Sequence, residues 1–232
     1  MTLKETLTQL KAAGSAQTRK TYARHGIGPK MFGVSYAVLG QLTRKIKRDH
    51  ALALALWDSG WHDARVLATF IADPQQMDAA TLDAWVVEGS NRALAGGLGK
   101  FAAATPHAEA LAAKWCADSR EFVATTGWDT VAQLALNSTL PDAKFSALLK
   151  TIERDLHGSL NLVRYSMNSA LIAIGCRNAK LEKLAVAAAK RIGPVEVDHG
   201  DTSCKTPDAA AYIAKTWAHR ATKGRKQLVA GK

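Results

Sequence analysis

Apolar residues recur at helical spacing along almost the whole chain. "ETLTQLKAAG" carries an apolar stripe that stops at Gly14, and "YAVLGQLTRKIKRD" places Tyr36, Leu39, Leu42 and Ile46 on one face. "ARVLATFIAD" ends before Asp73-Pro74, and "PHAEALAAKWC" starts with Pro106 in the first helical position after Thr105 as N-cap. Runs of alternating β-branched residues, the mark of strands, are essentially missing. The connections "DSGWHD", "ADPQQ", "NSTLPDA" and "GCRNAK" are short, so successive helices must pack as antiparallel neighbours. The glycine-rich stretch "GSNRALAGGLGKF", Gly89 to Phe101, reads by itself as a surface turn between two helices.

An internal comparison narrows the architecture. "DSREFVATTGWDTVAQLAL" and "GSLNLVRYSMNSALIAIG" superpose at an offset of 40 residues, with Ser119 on Ser159, Phe122 on Leu162, Val123 on Val163 and Leu134 on Ile174. Each follows another helix, Pro106 to Cys116 and Pro141 to His157. Helix pairs repeating at roughly 40 residues mark HEAT or armadillo arrays, in which no pair buries its apolar face until its neighbours stack. The expected fold is an all-α, HEAT-like helical repeat solenoid, curved, with alternate helices lining a concave face.

Charge gives that face a partner. Thirty-one Lys+Arg against 20 Asp+Glu leave a formal net charge of +11, which favours a polyanion. Removing His219 to Lys232 deletes five basic residues and no acid, so +6 stays with the body. A single repeat domain over 1–217, followed by a basic, flexible tail over 218–232, is expected. A basic concave face of duplex width suits DNA, bound mainly through phosphates; a protein-scaffolding solenoid needs no such charge but stays open. No apolar run approaches the roughly 18 to 20 residues of a membrane span. "MTLKETLTQLKAAG" carries acid and does not read as a signal peptide. Cys116, Cys176 and Cys204 are odd in number and far apart, against a disulfide framework. A cytoplasmic monomer is expected.

Gly99-Lys100 invites comparison with a phosphate loop, but Leu94 stands where the first glycine belongs and Phe101 where the serine or threonine belongs. No nucleotide site is expected there. "YARHGIGPKMFGVSYAVLGQLTRKIK", "ALALALWDSGWHDARVLATFIADP", "LDAWV", "DSREFV" and "VEVDHGDTSCKTPDAAAYI" instead resemble, in order from about Thr18 to Trp217, the bacterial DNA alkylation repair proteins of the AlkD-like superfamily. The resemblance implies HEAT-like repeats around duplex DNA. It also implies excision of cationic bases such as 3-methyladenine and 7-methylguanine, with a carboxylate and tryptophans stabilising the sugar cation. After "LDAWV" that family carries tryptophan-aspartate-x-x-aspartate, its first and last residues catalytic. Here Arg92 holds the tryptophan place and Gly96 the acid place; Thr125 replaces an arginine and Ser169 the second tryptophan. The stretch reads as an erased catalytic site with base excision lost or weak. The alternative is an active alkylpurine glycosylase with a relocated acid, Asp129 or Glu88.

DNA contacts are expected from Arg92, Lys100 and Arg164 near the centre of the concave face, and from Lys205. Trp57, Trp61, Trp85, Trp115 and Trp128 read as packing aromatics, with a base or sugar platform as the lesser alternative. His62 reads as a turn residue, not a general base. The cluster Asp198, His199, Asp201, Cys204 and Asp208 matches no zinc spacing. A loop capped by Thr206, with Pro207 first in the next helix, is the simpler account, and a loop that contacts DNA or a neighbouring repeat stays open. Neither a metal nor a cofactor is expected.

Overall fold

The computed structural model describes residues 1–89 and 91–230 and, over 223–230, the backbone alone. The described chain holds only helices: α1 (Leu3–Ala13), α2 (Ala16–Arg24), α3 (Tyr36–Ile46), α4 (His50–Asp58), α5 (His62–Ile71), α6 (Ala79–Glu88), α7 (Arg92–Ala102), α8 (Ala108–Cys116), α9 (Glu121–Asn137), α10 (Asp142–Asp155), α11 (Asn161–Gly175), α12 (Ala179–Ile192) and α13 (Ala209–Ala230), with a short 3-10 turn at Leu156–Gly158. α9 and α11 start 40 residues apart, as the internal offset requires. The expected tail from residue 218 falls on α13, and residues 231–232 lie outside the described residues.

Local chemistry sets most helix starts. Thr2 and Glu5 form a reciprocal capping box on α1. The side chains of Ser15, Asp49, Asp78, Asn91 and Asn178 each accept a backbone N–H in the first turn that follows. Two expected starts move. Thr105 Oγ1 donates to Ala102 O at 2.8 Å, which binds it back to the preceding helix, so α8 starts at Ala108. Asp208, not Thr206, caps α13: its Oδ1 accepts from Ala211 N at 2.7 Å, while Asn168 Nδ2 holds Pro207 O outside the helix. The glycine-rich stretch is no turn. It forms α7, because Leu94, Leu98 and Phe101 are buried one turn apart and Asn91 Oδ1 accepts from Leu94 N at 3.0 Å. Tyr36 also departs from its expected core face: Leu39 and Leu42 are buried, but Tyr36 is 48% exposed.

Contacts divide the chain into two compact units, Met1–Thr130 with His199–Ser203, and Val131–Asp198 with the residues from Cys204 on. In the first, α5 packs against α3, α4 and α7. Both ends of α3 and α5 are tied. At the N-terminal ends, the buried Asp63 carboxylate accepts from Phe32 N at 2.6 Å, Val34 N at 2.7 Å and Gly33 N at 3.4 Å. At the C-terminal ends, Asp49 N donates to Ile71 O and Arg48 Nη1 to Ala72 O. The two helices therefore run parallel, the arrangement of equivalent helices in stacked pairs. Behind them Trp57 and Trp85 stack at 4.3 Å, and Trp85 lies 6.2 Å from Phe101.

In the second unit α10 to α13 enclose Phe145, Leu149, Ile152, Leu171, Leu181 and Ile213. Arg177 acts as a hub, donating to Ala135 O, Leu140 O and Asp142 Oδ1 while its guanidinium lies 4.7 Å from the Phe145 ring. This half-buried cation satisfies the carbonyls of Ala135 and Leu140 at and after the end of α9 and shares the Asp142 carboxylate with Asn178 Nδ2. Trp217 Nε1 donates to Gly175 O and Arg220 Nη1 to Cys176 O, which seats α13 on the end of α11.

Candidate nucleic-acid interface

Arg92 and Gly96, the positions that the resemblance aligns with the tryptophan-aspartate motif, lie on α7. Leu94, Ala95, Leu98, Phe101 and Ala102 are buried, whereas Arg92, Gly96 and Lys100 follow one another at one-turn spacing on the opposite face. Arg92 is half-buried; Gly96 and Lys100 are exposed. The other glycines have steric causes. A Cβ on Gly99 would lie 2.7 Å from Asp129 Cβ and 3.1 Å from Thr130 N, so α7 and α9 meet backbone to backbone there. A Cβ on Gly97 would lie 3.4 Å from Thr69 Oγ1 on α5. Gly96 is different. Its Cβ would meet Asp129 Oδ2 at an ordinary 3.8 Å, so packing does not require glycine.

The same distance shows that the half-buried Asp129 carboxylate points at the position where the resemblance expects an acid. One turn earlier on α9, Thr125 is buried and its Oγ1 has no hydrogen-bond partner among the described residues. Burial, and secondarily the charge of Asp129, pushes the Cys116 thiol up to about 12, so Cys116 stays a thiol and supplies no nucleophile. Trp128 is buried. Gly127 lets α9 approach the end of α8, since a Cβ there would lie 2.6 Å from Cys116 N.

Glu88, the other candidate acid, is committed elsewhere. It accepts from Trp57 Nε1 and Arg65 Nη2, both at 2.9 Å, and joins α6 to the α4–α5 pair. Trp115 Nε1 donates to Asp83 Oδ1 at 2.8 Å, and Trp57, Trp85 and Trp115 are buried. None of those three offers a face to a base. Trp61 is half-buried and stacks on Phe32 at 4.1 Å. His62 is buried edge-on to Tyr22, neither ring nitrogen has a hydrogen-bond partner among the described residues, and desolvation lowers its pKa, so it remains neutral.

The remaining predicted residues belong to the second unit. Arg164 and Ser169 lie on α11; Arg164 is half-buried, and Ser169 Oγ donates to Tyr165 O at 3.0 Å within its own helix. Lys205 is exposed on the segment leading to α13. That segment is pinned to α11 where Asn161 both donates to Asp198 O and accepts from Asp198 N. Among the described residues no group of three or more His, Cys, Asp or Glu is placed to hold a metal ion, and no helix is long and apolar enough to cross a membrane. None of the three cysteines forms a disulfide.

Comparison with known proteins gives this geometry a context. Residues 6–213 match the family described as DNA alkylation repair enzyme. An uncharacterized protein of Listeria innocua is 30% identical over 214 residues, covering 90% of this chain and 94% of that protein. A second, from Listeria monocytogenes, is 28% identical over the same shares. A solved structure superposes with a TM-score of 0.86 at 26% identity, covering 94% of this chain and 95% of the other. It is described as a new family of proteins related to the HEAT-like repeat DNA glycosylases with affinity for branched DNA structures.

Proposed function

Because the chain belongs to the DNA alkylation repair enzyme family, with a HEAT-like helical fold, we propose that it binds DNA through the phosphate backbone and excises bases weakly or not at all. The observation that carries this is the α7 face, where Arg92 and Lys100 flank a bare backbone position at Gly96. Two cations around a side-chain-free turn attract phosphate and admit it closely. The same cations oppose stabilisation of a positively charged sugar. The neighbour's affinity for branched DNA supports branched DNA as a ligand class alongside duplex. Arg164 and Lys205 add phosphate contacts from the second unit.

Affinity against salt tests this. Log affinity for duplex DNA falls linearly with log salt, with a slope reporting several neutralised phosphates. Arg92→Glu and Arg164→Glu each weaken binding across unrelated sequences, because phosphate contacts carry no base information. Truncation from Thr222 weakens binding without removing the dependence on Arg92. If the truncation alone matters, the C-terminal cations are a non-specific handle and α7 is not the contact. Circular dichroism confirms that each variant is folded.

A second reading draws support from Asp129. Its carboxylate faces Gly96 from the neighbouring helix, so an acid is present near the erased position although its chain position has changed. On that reading the protein is a glycosylase with a relocated acid, and Asp129→Asn abolishes base release while leaving DNA binding intact.

A further inference from the structure

Two of the exposed large hydrophobic side chains in the first unit are neighbours. Tyr36, at the start of α3, is 48% exposed and Phe70, near the end of α5, is 37% exposed; their rings lie 6.3 Å apart, tilted by 49°. Phe70 alone on α5 is exposed, the other residues of that helix being buried or half-buried. Adjacent aromatics that both keep part of their rings in water mark a contact surface.

The surroundings specify the occupant. On α3, Tyr36, Gly40 and Arg44 follow at one-turn spacing, and Arg44 Nη1 lies 3.9 Å from where a Gly40 Cβ would be. The guanidinium therefore folds back along the helix toward Tyr36. On the other side, Thr69, next to Phe70, faces Gly97 of α7, so Gly96 and Gly97 pass at that level with Lys100 one turn further on. Of the nearby carboxylates, Asp63 accepts three backbone N–H groups, Asp73 accepts from Gln75 N and Gln76 Nε2, and Asp129 faces Gly96 from α9. Aromatic faces with Arg44 on the same helix as Tyr36 and Lys100 on the helix that Thr69 meets suit a flat, uncharged ring joined to phosphates. A paired duplex hides its base faces by stacking; a gap, flap or junction exposes them.

We propose that Tyr36 and Phe70 form a stacking platform for an unpaired base of branched or gapped DNA, with Arg44 and Lys100 holding the adjoining phosphates. This rests on the DNA-binding reading above and goes on to name what distinguishes a branch from plain duplex. The platform recruits no tryptophan; sequence patterning had assigned Tyr36 to the core.

The test uses the full chain with two DNAs of equal length, a plain duplex and one with a short single-stranded gap carrying 2-aminopurine. Wild type quenches 2-aminopurine fluorescence on binding. Phe70→Ala and Tyr36→Ala each weaken gapped-DNA binding by roughly 5- to 100-fold and lose the quench, with duplex affinity changed less than about twofold. Tyr36→Phe and Phe70→Tyr, which keep the ring, retain both the affinity and the quench. Arg92→Glu serves as the control that weakens both DNAs. Alanine variants that bind both DNAs as wild type does, or lose both equally, overturn the platform alone. Wild type that binds neither DNA overturns the DNA-binding reading and the platform with it.

Discussion

Asp63→Ala lowers the unfolding free energy by roughly 3–5 kcal/mol, since two short, buried N–H donors lose a charged acceptor. The carboxylate is fully buried near the N-terminus of α5, where the helix dipole also favours its charge. Its bonds to Phe32, Gly33 and Val34 are made across about 30 residues of sequence, and they set how the segment before α3 meets α5. Tyr22 Oη, which donates to Val34 O at 2.6 Å, and the Phe32–Trp61 stack depend on the same placement. Asp63→Asn keeps one acceptor oxygen and loses about half as much. The check is urea unfolding, in which the midpoint moves while the slope stays constant. A shift below about 0.5 kcal/mol for the alanine variant would show the carboxylate to be replaceable by water.

Methylated duplex DNA incubated with the protein releases 7-methylguanine no faster than it does spontaneously. One preorganised electrostatic stabiliser is worth roughly 3–4 kcal/mol, or 10²–10³ in rate, and several positions change together here. Gly96 brings no carboxylate, Arg92 brings a cation where an aromatic face would stabilise one, and the Ser169 hydroxyl is bonded to Tyr165 O. Asp129 faces Gly96, which makes Asp129→Asn the deciding variant. Release at least about tenfold above background, lost in that variant with DNA binding intact, would establish the relocated acid.

What the sequence revealed and what it hid follow from the range of the interactions involved. The 40-residue period placed α9 and α11, because each repeat buries the same kind of face. The cap of α8 was misplaced, because Thr105 had two acceptors within reach and the preceding helix won. α7 was hidden for a stronger reason. Glycine propensity argues for a turn, and only the contacts of Leu94, Leu98 and Phe101 with a core built by other segments override it. At the candidate site, Arg92 and Gly96 could be singled out from the sequence, but the orientation of Asp129 toward Gly96 depends on the close crossing that Gly99 permits. Asp63 gave no signal at all, since its partners are backbone groups that carry no side-chain signature.

The glycines of α7 also govern when that helix exists. Each of Gly96, Gly97 and Gly99 costs about 1 kcal/mol relative to alanine, and eleven residues are too few for a helix to persist alone in water. Its hydrogen bonds survive only while its apolar side is docked, so its amides exchange with solvent through an opening far smaller than global unfolding. A polyanion held by Arg92 and Lys100, as proposed above, would close that opening. Under the proposed contact, ligand affinity and local order at α7 are one equilibrium, and a change that stiffens the helix while leaving Gly96 bare would raise the affinity for phosphate without touching a charge.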